Sequence, residues 1–250
     1  MNDILKTLID LSHEIGREDR QLSILGEGNT SAKISPAQFA VKASGCCLGT
    51  LSEADLAICE TGRILKILDQ KTLADEAIDN GLLEARVGGK GKKPSTEAMF
   101  HAWLLSLEGV NFVGHCHPVS CNQVLCSPRA RDFAERRIFP DEIVCCGPAS
   151  VFVPYVDPGL PLAREIKDRT NTFIQQQKQI PRLILLQNHG VIALGSTPNA
   201  VLACIMMASK AAAIFMGAAA MGGPNFMTPQ HVERICARPD EAYRQRQLKI

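Results

Sequence analysis

The sequence predicts an α/β fold in which a mixed, mainly antiparallel sheet is flanked by helices. Three observations lead there. Short apolar runs near residues 39–45, 112–117, 182–187 and 191–194 read as strands, and helical patterns of unequal length lie between them. The interleaving is irregular and carries no internal repeat, unlike the strict alternation of a parallel sheet. Hydrophobic residues make up 46% and charged residues 21% of the 250, an ordinary balance for a packed core. One domain over 1–250 is expected, with its core at about 4–221 and a C-terminal helix and tail at 228–250.

Ile4, Leu8, Leu11 and Ile15 fall on one helical stripe, which predicts an amphipathic helix from residue 3 to about 16. The turn Gly26-Glu27-Gly28-Asn29-Thr30-Ser31 then leads into a short alternating strand over 31–34. Such a turn either offers N–H groups and hydroxyls to an anion or is an ordinary tight turn. Residues 39–45 read as a strand ending at Ser44-Gly45, a second candidate anion contact. Ser52 is placed to cap a short helix toward Leu56, with Glu53 and Asp55 in its first turn. Residues 57–67 are expected to form a strand hairpin around Glu60-Thr61-Gly62-Arg63. The charged stretch 69–93, rich in glycine toward its end, reads as a mobile surface segment.

Lys93-Pro94-Ser95-Thr96-Glu97 opens a helix over 97–107, capped by Ser95 or Thr96. Glu97 there is either a first-turn acid that complements the helix dipole or a functional carboxylate. In the strand that ends at Pro118, the period of 2 puts His115 and His117 on one side and Cys116 on the other. Two such imidazoles can chelate a metal ion, or they can hydrogen-bond in a polar pocket. Residues 120–126 read as a helical turn or two that sends Cys121 and Cys126 to different faces, so neither counts as a ligand. Residues 139–144 and 150–155 have strand character, and a helix spans 162 to about 177. A buried strand over 182–187 and a second over 191–194 enclose Asn188-His189-Gly190. Thr197 caps and Pro198 begins a long helix to 221, and Thr228-Pro229 repeats the signal for a last helix. The tail from Asp240 is polar and holds Tyr243.

The net charge of +1 offers no field for nucleic acid or an anionic membrane. Ten cysteines without a Cys-x-x-Cys read as small buried hydrophobes with reduced thiols. The N-terminus lacks a basic-then-apolar pattern, so a cytoplasmic protein is expected. Residues 200–221 are long enough to span a bilayer, yet their alanines and central Lys210 favour a buried core helix.

His115 and His117 with His189 make a candidate three-histidine site that leaves one coordination position open. The motifs GEGNTS, KASG, KPSTE, GHCHP and LLQNHG, in that order, resemble the class II aldolase/adducin family over about residues 4–221. The resemblance implies a central sheet between helix layers and a tetramer with sites at subunit interfaces. It implies Zn²⁺, or another divalent cation such as Mn²⁺, on His115, His117 and His189. Glu97 falls on the acid/base carboxylate, which also touches the metal in the resting site. Gly28, Asn29, Ser44, Gly45, Ser95 and Thr96 fall on the phosphate-cradling turns. Tyr243, from a neighbouring chain, is the expected proton donor. The implied reaction is retro-aldol cleavage of a phosphorylated ketose through a metal-bound enediolate, so the implied partner is a small sugar phosphate or sugar acid. The branch of 3-oxo-tetronate-phosphate decarboxylases and a non-catalytic adducin-like role are the alternatives. Lys42-Ala43 departs from the Thr-Pro-type sequence of many sugar-phosphate aldolases, which makes Lys42 either a phosphate contact or a sign of another substrate.

Overall fold

A computed structural model of the chain describes residues 3–250. Helix α1 (Asp3–Ile15) buries Leu8, Leu11 and Ile15, the stripe its periodicity predicted. Strands β1 (Asn29–Ser35) and β2 (Gln38–Lys42) follow, and Ser52 with Asp55 forms a capping box on one short turn of 3₁₀-helix. Strand β3 (Leu56–Glu60) completes the first three-stranded unit.

The predicted hairpin over 57–67 is corrected here. Past β3 the chain turns into helix α2 (Thr61–Leu68), because Ile64, Ile67 and Leu68 lie on one helical face and all are buried. The stretch 69–93 is likewise not a bare surface segment. It contains helix α3 (Asp75–Glu84), anchored by Ile78 and Leu82 one turn apart. Helix α4 (Ala98–Ser106) is buried on every side from Ala98 to Leu105, as its nearly continuous apolar sequence requires.

Strand β4 (Phe112–Cys116) runs into α5 (Val119–Leu125), and α6 (Ala130–Glu135) comes next. The strand expected at 139–144 is instead helix α7 (Pro140–Cys146). Pro140 at its first position and the acids Asp141 and Glu142 in its first turn are helix-start signals that outweigh the β-branched residues after them. Then come β5 (Val151–Val153), α8 (Leu160–Gln177), β6 (Leu183–Leu186) and β7 (Gly190–Gly195). Helix α9 (Pro198–Ala220) is capped by the Thr197 side chain as expected, and α10 (Pro229–Cys236) by that of Thr228. The polar tail is also helical, as α11 (Pro239–Leu248).

The strands form one sheet in the order β3-β2-β1-β4-β7-β6-β5. Every neighbouring pair is antiparallel except β5 with β6. Helices cover both faces. Val113, Ile184, Leu186, Ile192 and Leu194 point into a core shared with α2, α4 and α8. Their alternates Cys116, Leu183, Leu185, Val191 and Ala193 point to the other core, with α1, α5, α7 and α9. Helix α9 is long and apolar enough to cross a membrane, yet one of its faces, through Val201, Ile205, Ala208, Ala212 and Phe215, lies in that second core.

Candidate active site

The pleat of β1 and β4 lays down the floor of the site. Asn29 pairs with His115 and Ser31 with Val113 across an antiparallel ladder, and paired residues share a face. That face is the one α4 covers, since the Phe100 ring meets His115 edge-on at 5.8 Å. Helix spacing then stacks Glu97 and His101 one turn apart above Asn29, Ser31 and His115. His117 follows one residue beyond the end of β4. His189 is the last residue of the three-residue loop that joins β6 to β7, where Asn188 takes a positive φ of 57°.

Two glycines make room for this arrangement. A Cβ on Gly190 would lie 2.6 Å from the His117 ring and 2.5 Å from the Cys116 carbonyl oxygen. One on Gly28, whose φ is +66°, would lie 2.5 Å from the carbonyl oxygen of His115.

The three imidazoles converge. Their ring centroids are 4.8, 4.9 and 5.0 Å apart, and one ligating nitrogen from each lies within 4.8 Å of the others. His115 Nε2 is 3.1 Å from His117 Nε2. Glu97 Oε1 is 3.5 Å from His115 Nε2 and 3.6 Å from His189 Nε2. His115 Nδ1 lies 2.9 Å from the Val191 carbonyl, which can only accept, so Nδ1 carries the proton and Nε2 keeps its lone pair.

Electrostatics keeps these rings neutral. Burial, reinforced by His189, pushes His115 down to about 3 from 6.5, and burial with His115 pushes His117 down to about 4. Burial also lowers His189, against an opposing pull from Glu97. Neutral imidazole is the form that ligates metals. Zn–N bonds of about 2.0–2.1 Å set tetrahedral nitrogens roughly 3.3 Å apart, so this donor set fits a divalent ion after small adjustments.

Three loops are tied together beside the histidines. The Lys42 ammonium donates to the carbonyls of Gly26 at 3.0 Å and Cys46 at 2.6 Å. The Ser44 amide donates to the Lys93 carbonyl at 3.0 Å, and Ala43 bridges to Pro94. The turns at 26–28, 44–46 and 93–96 therefore form one rim.

The Class II Aldolase and Adducin N-terminal domain family matches residues 6–216 of this sequence. The chain belongs to this family. Among solved structures, the N-terminal class II aldolase domain of a Thermoplasma acidophilum protein superposes with a TM-score of 0.69 at 24% identity, over 86% of this chain and 95% of that one. An L-fuculose 1-phosphate aldolase superposes at 0.69 with 17% identity, over 94% and 95% of the two chains. YgbL from Escherichia coli gives 0.68 at 18% identity, over 93% and 97%. These likenesses establish the fold. The sequence is also similar to the protein named "Uncharacterized oxidoreductase YuxG" of Bacillus subtilis (strain 168), at 26% identity over 201 residues. That match takes in 77% of this chain but 27% of the longer protein.

Within this class II aldolase domain, the predicted residues divide by position. His115, His117, His189 and Glu97 come together, as described. Gly28, Ser44, Gly45, Ser95 and Thr96 lie on the tied rim. Asn29 is turned inward instead: its side chain, 3% exposed, bonds Glu97 and His101. Lys42 is buried at 3% exposure, and its ammonium fastens the loop at Gly26 to the loop at Cys46. Tyr243 sits on α11, which is anchored at the Gly195 end of β7, opposite the end bearing His189: Thr197 donates to the Lys249 carbonyl, and Ile250 shares a cavity with Gly195 and Ser196. Its own chain does not carry Tyr243 to the histidines.

Sequence reasoning passed over His101 and Glu27. His101 follows Glu97 by four residues, a helical spacing that would have paired them. Glu27 Oε1 is 3.8 Å from His117 Nδ1, in the turn that its flanking glycines mark.

Proposed function

We propose that this class II aldolase domain is a divalent-metal-dependent carbon–carbon lyase that cleaves a phosphorylated ketose. The observation carrying the reading is the convergence of three neutral imidazoles with the Glu97 carboxylate 3.5 and 3.6 Å from two of them. His115, His117 and His189 would hold the ion, Zn²⁺ or Mn²⁺, by their ring nitrogens. The bound cation would supply charge stabilisation for the oxygen that becomes negative as the carbon–carbon bond breaks.

The chain's own groups account for the remainder. Glu97 Oε1 would return or remove the proton at the carbon next to the carbonyl, a role worth about 10²–10⁴-fold. Ser44, Gly45, Ser95 and Thr96, with the Gly28 backbone, would hold the phosphate at the rim. Their linkage through Lys42, the Ser44–Lys93 bond and the Ala43–Pro94 bridge supports a preformed site, because the loops need not be ordered when substrate binds. Protonation of the leaving aldehyde's oxygen is assigned to Tyr243 of a second copy, since α11 is anchored away from its own histidines and the Tyr243 side chain is 59% exposed. Exposed Ile24, Leu25 and Val119 lie beside the site and support burial against another copy in a tetramer. A cytoplasmic setting is consistent with ten unpaired cysteines.

Metal analysis followed by assay of a sugar-phosphate panel with Zn²⁺ or Mn²⁺ tests the reading. Release of dihydroxyacetone phosphate is the expected result. Release of CO₂ from a sugar acid phosphate would make the enzyme a decarboxylase, and failure to bind any divalent ion would leave an interaction module.

A further inference from the structure

Glu97 is held from behind by a chain of buried side chains. Its Oε2 receives Asn29 Nδ2 at 2.5 Å, Asn29 Oδ1 meets His101 Nε2, and His101 Nδ1 lies 2.6 Å from Ser31 Oγ. His101 and Ser31 are 0% exposed and Asn29 is 3% exposed, so no water competes for these bonds. The chain fixes its own polarity. A carboxylate only accepts, so Asn29 must turn its N–H₂ toward Oε2. Its Oδ1 then faces His101 and needs a donor, which makes His101 the Nε2–H tautomer. Nδ1 is left bare and accepts the Ser31 hydroxyl. Burial keeps the His101 ring neutral, so one nitrogen donates while the other accepts.

The consequence is a division of labour within one carboxylate. Oε2 is occupied by Asn29, while Oε1 faces the imidazoles of His115 and His189. We propose that His101 is a positioning residue: through Asn29 it pins Oε2 of Glu97 so that Oε1 alone is presented for proton transfer. The inference rests on Glu97 being the group that moves the substrate proton, while the hydrogen-bond chain itself can be measured without turnover. A buried histidine filling space would need neither one fixed tautomer nor this particular partner.

The test begins with nitrogen-15 NMR on the full chain labelled at histidine. His101 is expected to carry its proton on Nε2 with Nδ1 bare, and a proton found on Nδ1 overturns the proposal. Kinetics of the metal-loaded protein follow. His101→Leu should lower kcat about 10²-fold, the scale of a misplaced catalytic group, with KM and bound metal unchanged. His101→Gln, which returns an N–H close to the Nε2 position, should recover most of that loss. Equal losses in Leu and Gln, or loss of metal in step with kcat, would mean a merely structural role and defeat the idea. Should His101→Leu fail to fold, Ser31→Ala removes only one hydroxyl. It should leave the proton on Nε2, which Glu97 and Asn29 dictate, yet lower kcat severalfold; a proton moved to Nδ1 or an unchanged kcat would count against the chain. If the unaltered protein turns over no sugar phosphate, the lyase reading and the catalytic half of this inference fall together, while the tautomer still decides whether the chain exists.

Discussion

Among the described residues, a histidine cluster and a cysteine cluster both carry metal-ligating residue types, and burial leaves the imidazoles rather than the thiols in ligand form. On one face of the sheet, at its end, burial drives His115 and His117 far below their usual range and so leaves free lone pairs. On the other face, α5, α7 and α9 bring together Cys121, Cys146 and Cys204. There the contact with Cys204 and burial push Cys146 well above its usual value, and burial with Cys146 raises Cys121. A low-dielectric interior favours whichever form is neutral. For imidazole that form binds metal, and for a thiol it does not. The same physics builds a candidate site from histidine and inert packing from cysteine.

The sharpest break of this contrast is His115→Ala, which removes the fully buried imidazole. Divalent-metal binding and activity should both disappear while the circular dichroism spectrum stays native, because both apolar cores are independent of the imidazoles. An unfolded spectrum would tie the fold to the site. Glu97→Gln should retain metal but slow exchange of the substrate carbon-bound proton by about 10²–10⁴-fold, read by deuterium incorporation. An unaltered exchange rate would remove Glu97 from its assigned role.

Acid should act on the histidine side in a defined window. Unfolded histidines titrate near 6.5, whereas His115 and His117 in the folded chain titrate near 3 and 4. Between those values the unfolded chain binds more protons, so stability of the metal-free protein is full above 6.5 and declines as pH falls toward 3. Urea midpoints measured across that range should fall steadily, and His115→Ala should flatten the decline. The smallest effect belongs to the thiol cluster. Cys146→Ala should leave metal stoichiometry unchanged and cost about 1–2 kcal/mol by denaturant titration, the cost of trimming one buried side chain. Loss of metal in that variant would erase the distinction between the two clusters.

The misread elements share one cause. At 57–67 the Thr-Gly pair suggests a turn, though Ile64, Ile67 and Leu68 repeat at helical spacing. At 139–144 the β-branched pair Ile143-Val144 suggests a strand, but both residues suit a buried helix as well, and the Pro-Asp-Glu start signal prevails. Isolated segments of that length carry too little pattern to separate helix from strand, and packing decides. The polar α11 had no apolar stripe to announce it; Gln245 and Arg244 hold it to α7 by bonds to the Val144 carbonyl and Asp141.

Local sequence was enough for whatever depends on near neighbours. The period of 2 put His115 and His117 on one side, Thr197 capped α9, and five short motifs in order named the family. Tertiary structure alone decided which distant residues face one another. Only the β1–β4 register sets Asn29 opposite His115, and only the seat of α4 on that face brings His101 down to Asn29. Side-chain direction is written in a few adjacent residues, whereas strand register and helix placement are settled by the whole sheet and both of its cores.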